Sequence, residues 1–236
     1  GASTLSGNLS VTAAGTITQS GALSVTGTST FAAGANAITL TTGTNNFTGT
    51  VAFSNTGAND VQITDTNAVG FAASSTGGNL TVIAGGNITD SGNLSVVGDS
   101  SFTAAGGSSI LLDSAGNSFT GTLAFLSGGT LADITIYDTT ALTIPAPLTI
   151  SGTLTATSEI SIGQDAGALA GAALAATTLN NAGGAITLNQ STNDFDTVSL
   201  RALDSTGATN AAGAVSYADA DGFQISANDV RTSSDA

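Results

Sequence analysis

The chain has 236 residues, is 41% hydrophobic, and carries a net charge of −14 with Arg201 and Arg231 as its only basic side chains. It can bury a core, but counter-ion release from phosphates and attraction to anionic lipid both need Lys and Arg, so neither nucleic acid nor an anionic membrane surface is an expected partner. Cys is absent, which excludes a disulfide framework and a thiolate metal site, and no apolar run approaches the roughly 18 residues of a membrane-spanning helix.

Taken in order, the chain reads as short strands. Leu9/Val11, Leu23/Val25, Ile38/Leu40, Val51/Phe53 and Val61/Ile63 place apolar residues at i and i+2, usually with Thr or Ser between them. In a strand that alternation sends one side chain inward and the next outward. Thr favours the pleated conformation while staying wet. Gly, Asn, Ser and Ala fill the gaps, as in Ala13-Ala-Gly15 and Ser20-Gly21, and supply the turns. The start at Gly1 carries no signal-peptide pattern, as expected of a processed chain or an excised fragment.

The strands recur in a longer period. Gly7–Ala33 aligns with Gly78–Ala104 without a gap, and 17 of the 27 pairs are identical. Leu9, Val11, Ile17, Leu23, Val25 and Phe31 return as Leu80, Val82, Ile88, Leu94, Val96 and Phe102. Phe47, Val51 and Phe53 match Phe119, Leu123 and Phe125 one residue further on, and Val61-Gln-Ile63-Thr-Asp65 matches Ile134-Thr-Ile136-Tyr-Asp138. Such slips are expected where insertions sit in turns. A third, worn copy places Leu148-Thr-Ile150 against Leu80-Thr-Val82, Ile186-Thr-Leu188 against Ile110-Leu-Leu112, and Val215-Ser-Tyr217-Ala-Asp219 against Val61–Asp65. The Ala-rich stretch Ala166–Leu179 interrupts it and is expected to be a widened loop or a short helix.

Strands of two to four residues are too short for a sandwich of long hairpins. They suit a solenoid, in which each strand pairs in parallel with its counterpart one coil up and one coil down. The expected fold is therefore all-β: a parallel β-helix (β-solenoid) with about three strands per coil, although four shorter coils per repeat would also fit. On the order of ten to thirteen coils follow, stacked at about 4.8 Å. The expected organisation is one continuous β-helical shaft over 1–236, with copies at about 7–77, 78–147 and 148–236. An all-β sandwich is the competing architecture and is disfavoured by the long repeat and the small side chains.

Segments such as GNLSVTAAGTITQSGALSVTGTSTF and NNFTGTVAF resemble the repeats of large bacterial exoproteins of the filamentous haemagglutinin type. The resemblance covers most of Gly7–Leu154 and, more loosely, Ile186–Ile225. It implies a right-handed parallel β-helix, export by two-partner secretion or a related route, and an extracellular or cell-surface location. It also implies a structural role in adhesion or biofilm matrix, with self-association end to end or side by side, or with surface glycans as partners.

The chemistry-bearing residues each have a plain structural explanation. Asp65, Asp138 and Asp219 occupy equivalent places after a strand, where a turn carboxylate bonding nearby N–H groups is favoured over calcium, which needs several oxygen ligands. Asp219-Ala-Asp221 is a better calcium candidate but lacks any supporting loop motif. Asp194 and Asp196 stand two apart and can face one way, yet His and Lys are absent to assist as acid or base. Gly77-Gly78 and Gly106-Gly107 lack the Lys of a phosphate loop and read as turns. Asn8, Asn46, Asn79, Asn87, Asn93 and Asn189 each begin an Asn-X-Ser/Thr sequon, which Asn at a turn followed by Thr or Ser in a strand creates automatically. Asn46 with Asn117 is expected to stack its amides between coils, and Phe47, Phe119 and Phe195 to plug the core. Accordingly, no catalytic, cofactor-binding or metal-ligating residue is assigned and no enzyme activity is expected. Ala166–Asp204 is the candidate for a specific glycan- or cell-surface-binding region, and a polysaccharide-degrading β-helix enzyme is the remote alternative.

Overall fold

The computed structural model describes residues 1–231, with side chains to residue 226. Among the described residues there are strands and turns and no helix. All named strands pair in parallel. Two compact units are formed, Gly1–Gly129 and Thr130–Ala236.

The first unit is a solenoid of three-stranded coils. The first coil holds β1 (Ser3–Leu5), β2 (Leu9–Thr12) and β3 (Ile17–Thr18), and the second β4 (Leu23–Val25), β5 (Ser29–Gly34) and β6 (Ile38–Leu40). The third holds β7 (Asn46–Phe47), β8 (Val51–Asn55) and β9 (Val61–Asp65), and the fourth β10 (Val69–Phe71), β11 (Ser74–Thr76) and β12 (Leu80–Ala84). The fifth holds β13 (Ile88–Asp90), β14 (Leu94–Val96) and β15 (Ser100–Ala104), and the sixth β16 (Ile110–Leu112), β17 (Ser118–Phe119) and β18 (Leu123–Ser127). One sheet runs β3-β6-β9-β12-β15-β18, a second starts β2-β5-β8, and a third is β1-β4-β7. Above β8 the corner shifts: β10 pairs at Phe71↔Val51 and β11 at Ser75↔Ser54.

The period-two pattern is why these segments extend. Val61, Ile63 and Asp65 point inward and are buried, while Gln62 and Thr64 between them are half-buried. Each inward side chain then stacks on the one a coil away, as in Phe31↔Phe53 and Phe102↔Phe125. The repeat also reproduces its ring contacts. Phe31 meets Phe47 edge to face at 6.1 Å, and their counterparts Phe102 and Phe119 meet in the same way at 6.0 Å. Phe47, Phe119 and Phe195 are all buried core plugs, each contributing about 3 kcal/mol of apolar burial.

A copy of the repeat contains ten strands, β2 to β11 before β12 begins the next. Ten strands in three-stranded coils make three coils and one strand over, so every equivalent strand moves to the next face. Leu9–Thr12 lies in the sheet of β5 and β8, whereas its counterpart Leu80–Ala84 lies in the sheet of β9 and β15. Phe31 and Phe102 are displaced in the same sense.

The second unit holds β19 (Ile134–Asp138), β20 (Leu142–Ile144), β21 (Leu148–Thr149), β22 (Thr153–Ser158), β23 (Ile162–Gln164), β24 (Leu169–Leu179), β25 (Ile186–Leu188), β26 (Asp194–Leu203), β27 (Val215–Tyr217) and β28 (Gln224–Arg231). Two sequence expectations are corrected here. The Ala-rich stretch is neither a widened loop nor a helix: its Leu169–Leu179 form the longest strand among the described residues. Its first residues pair with β21 and its remainder with β22, so one strand turns a corner that elsewhere needs two. Strands on both sides satisfy its backbone, which overrides the helix propensity of Ala. Pairing also moves the start of the third copy. Ile134 pairs with Leu154 as Val61 pairs with Leu80, so Leu154, not Leu148, takes the place of Leu80.

Candidate functional site

Three fully buried asparagines form one kind of corner, built three times. Asn45, Asn117 and Asn193 are each fully buried just before the repeat Phe. Each amide Nδ2 donates to the carbonyl five residues back, Leu40, Leu112 or Leu188, at 3.1 Å in all three. Each Oδ1 accepts the backbone N–H of a residue in the preceding coil: Leu23 at 2.9 Å, Leu94 at 2.7 Å and Leu169 at 3.0 Å. A second side chain closes the corner. Gln19 and Gln164 exchange reciprocal hydrogen bonds with Asn45 and Asn193, and Asp90 Oδ2 accepts from Asn117 at 2.7 Å. The counterpart of Asn117 in the core is therefore Asn45, and the expected match of Asn46 with Asn117 is off by one. The one-residue slip between Phe47 and Phe119 was the available signal.

The turn aspartates reach into the same corners. Asp65 Oδ2, at the end of the third coil, accepts the N–H of Phe47 at the start of that coil at 2.8 Å, while its Oδ1 accepts from Asn67. Asp219 repeats the arrangement with Phe195 at 3.3 Å and with Asp221 and Gly222. Asp138 Oδ1 accepts the N–H and the hydroxyl of Thr140, both at 2.9 Å. Each thus has the turn role expected of it. Their titrations differ with their surroundings. Burial pushes Asp65 up, against the two N–H bonds that hold its charge. Burial also acts against the charge of Asp219, but the Tyr217 hydroxyl and N–H groups of Gly222, Phe195 and Asp221 outweigh it and hold the carboxyl below its usual value.

Outside the core, turn side chains step from coil to coil. Asp60 Oδ1 accepts the N–H of Asn79, Asn79 Oδ1 that of Asp99, and Asp99 Oδ1 that of Thr122, each at 2.8 Å. Asn8 does the same for Thr28, and Asn87 for Ser109. The sequon asparagines Asn8, Asn79 and Asn87 therefore bridge coils by accepting backbone N–H groups. Of the glycine pairs, Gly77 lies where a Cβ would stand 2.0 Å from the Gly57 carbonyl, and Gly107 has a φ of 79°. Both are turn positions.

Asp194 and Asp196 face outward together on either side of buried Phe195. Asp196 lines an open depression of about 560 Å³ with Thr197, Asp221, Gly222, Phe223 and Gln224. Among the described residues no three carboxylates or other ligating side chains gather to hold a metal. Ala166–Asp204, the candidate glycan- or cell-surface-binding region, is built largely of the regular strands β24, β25 and β26.

No curated protein and no solved structure matches the chain. A family profile described as "Repeats of unknown function (DUF5649)" matches residues 1–54, 58–125 and 131–202. The third match covers the worn copy as far as residue 202, where its kinship is visible once Ile162-Gly-Gln164 is set on Ile17-Thr-Gln19 and Leu169 on Leu23. These matches span most of the sequence, and the chain belongs to this family of repeats.

Proposed function

We propose that the chain is a structural shaft segment of a secreted, surface-exposed bacterial adhesin or filament of the filamentous haemagglutinin type. The observation that carries this reading is what recurs. The side chains repeated from copy to copy, such as Asn45, Asn117 and Asn193 with their Phe neighbours, are consumed in holding one coil to the next. The ten-strand repeat supports it further. Equivalent residues such as Leu9 and Leu80 stand on different faces, which suits a spacer better than a one-sided binding platform. The outward Thr, Ser and Asn offer weak, repeated hydrogen bonds, so adhesion along the shaft itself would work by multivalency.

On this reading the chain is not an enzyme and takes no cofactor, and its place is outside the cell. Antibody labelling of intact cells that make the protein, against lysed cells, tests the location. Signal on intact cells is expected, and signal only after lysis would contradict it. Hydrolysis of an acidic polysaccharide by the purified chain, abolished by Asp194→Asn, would overturn the structural role.

A further inference from the structure

Arg201 is an exception on the outward face of the repeat. The inward runs Leu9-Ser29-Val51, Leu80-Ser100-Leu123 and Leu154-Leu174-Val198 are equivalent in the three copies. Three residues further along the last strand of each run stand Ser54, Leu126 and Arg201, all on the outward face. The third copy thus places a cation where the other two are neutral, in a chain that holds two basic and 16 acidic side chains.

Among the described residues nothing bonds the Nε of this guanidinium, which is buried although the residue as a whole is half-buried. Asp204, the acid nearest to it along the strand, is spent on its own loop. Its Oδ1 accepts the N–H groups of Thr206 and Ala208 and the Thr206 hydroxyl, and its Oδ2 accepts the Thr209 hydroxyl at 2.6 Å. Glu159 Oε1 accepts the Tyr137 hydroxyl. Across the ladder the imbalance grows: Arg201 pairs in register with Arg231 of β28, the only other basic side chain of the chain. Like charges on neighbouring strands repel, and a donor hidden from water without an acceptor adds its own cost. One ligand, an anion, relieves both.

The surroundings are suited to hold one. Thr177 lies beside Arg201 on β24, and Ser199 precedes it on the same face of β26; both are half-buried and outward, so hydroxyls flank the guanidinium. On the other side the chain is built up. The connection from Leu203 to Val215 is longer than its counterpart from Asn55 to Val61. It folds back so that Leu203 bridges Asn210 antiparallel, and a Cβ on Gly207 would stand 3.5 Å from Leu179 Cδ2. The loop therefore covers Leu179 and Leu203, the outward positions that follow Thr177 and Arg201, and walls one side of the site.

We propose that Arg201, with Arg231 as its neighbour in register, is a binding site for a small, singly charged carboxylate, flanked by the hydroxyls of Thr177 and Ser199. A planar carboxylate matches the paired N–H donors of a guanidinium. The net charge of −14 repels a polyanion before contact, which selects a ligand carrying one charge. The site stands apart from the shaft reading, because one small anion makes no adhesive surface.

The test is an acetate titration of the isotope-labelled full chain, with acetate replacing chloride at constant ionic strength. Because the chain has two arginines, its nuclear magnetic resonance spectrum contains two arginine Nε signals. That of Arg201, identified by its loss in Arg201→Lys, is expected to shift to saturation, together with the backbone amides of Thr177 and Ser199. Arg201→Lys keeps the charge without the planar fork, and Arg201→Gln removes both. Each should weaken acetate binding, read from those amides, by about tenfold or more, while circular dichroism and melting in chloride remain those of the parent. Heparin, a polyanion, is expected not to bind. A shift that never saturates, an Arg201→Lys chain that binds acetate as the parent does, or heparin bound more tightly than acetate would each overturn the proposal. Surface labelling of cells is unchanged by any of these results, so failure here is distinct from failure of the shaft reading.

Discussion

Asn45 and Gln19 face each other across successive coils in a reciprocal pair, Gln19 Nε2 to Asn45 Oδ1 at 2.7 Å and Asn45 Nδ2 to Gln19 Oε1 at 2.9 Å. The same pair recurs as Asn193 with Gln164, and with Asp90 in place of Gln at Asn117. A carboxamide suits the position because it needs a donor and an acceptor at once, toward a carbonyl of its own turn and an N–H of the neighbouring coil. Asn117→Ala removes both and leaves the Leu112 carbonyl and the Leu94 N–H buried without that partner. A loss of about 3 kcal/mol is expected, read as a lower guanidinium midpoint. An unchanged midpoint would mean the corner is incidental.

The hydroxyls of Ser29 and Ser100 are the opposite case. They occupy equivalent inward positions, are buried, and have no hydrogen-bond partner. Each sits in an apolar column, Leu9-Ser29-Val51 and Leu80-Ser100-Leu123. Removing an unsatisfied buried hydroxyl relieves its desolvation cost. Ser100→Ala and Ser29→Ala should each raise stability by up to about 1 kcal/mol, checked by the same denaturation series. A clear loss would reveal a bond the hydroxyl makes.

Asp65 and Asp219, though equivalent, should respond to pH with opposite sign. Asp65 is raised in the folded chain by burial, so its contribution is fully present below the ordinary Asp value of 3.8 and is lost as pH rises through its folded value. Asp219 is lowered, so its contribution is present above 3.8 and lost as pH falls through its folded value. Relative to the parent, Asp65→Asn should therefore gain stability on moving from pH 3 to pH 7, and Asp219→Asn should lose it. Melting temperatures at the two pH values distinguish these signs.

Tyr137 offers a spectroscopic handle. Burial, together with the bond from its hydroxyl to Glu159 Oε1 at 2.9 Å and the nearby charge, pushes it up from 10.0 to about 12. The stability linked to this shift is present below pH 10 and is lost as pH rises through about 12. Ultraviolet titration of phenolate should show this delayed step, and Glu159→Gln should move it down. An ordinary titration in the parent would place Tyr137 in water.

Much of the fold was legible because one physical rule repeats. Leu9/Val11 and its successors alternate in and out, and the copies agree on which positions are apolar, so solenoid, parallel pairing and three strands per coil followed. The Ala-rich β24 was not legible: small side chains satisfy helix and strand equally, and only the neighbours β22 and β26 decide. The corner asparagines were half legible. Asn117 stands out, but the tandem Asn45-Asn46 offers two candidates for its counterpart, and only the bond to the neighbouring coil singles out Asn45. The shift of Leu9 and Leu80 to different sheets depends on counting strands per copy, which two-residue elements such as β3 and β7 obscure.

The central claim is that this segment serves by its length and stiffness, with recognition located elsewhere. In cells displaying a parent protein that carries it, the segment can be exchanged for an unrelated β-solenoid with the same number of coils. Adhesion to the host surface or matrix is then expected to persist, and to fall when the segment is simply deleted. Loss of adhesion on the exchange, with display at the cell surface intact, would contradict the shaft reading and assign binding to the segment itself.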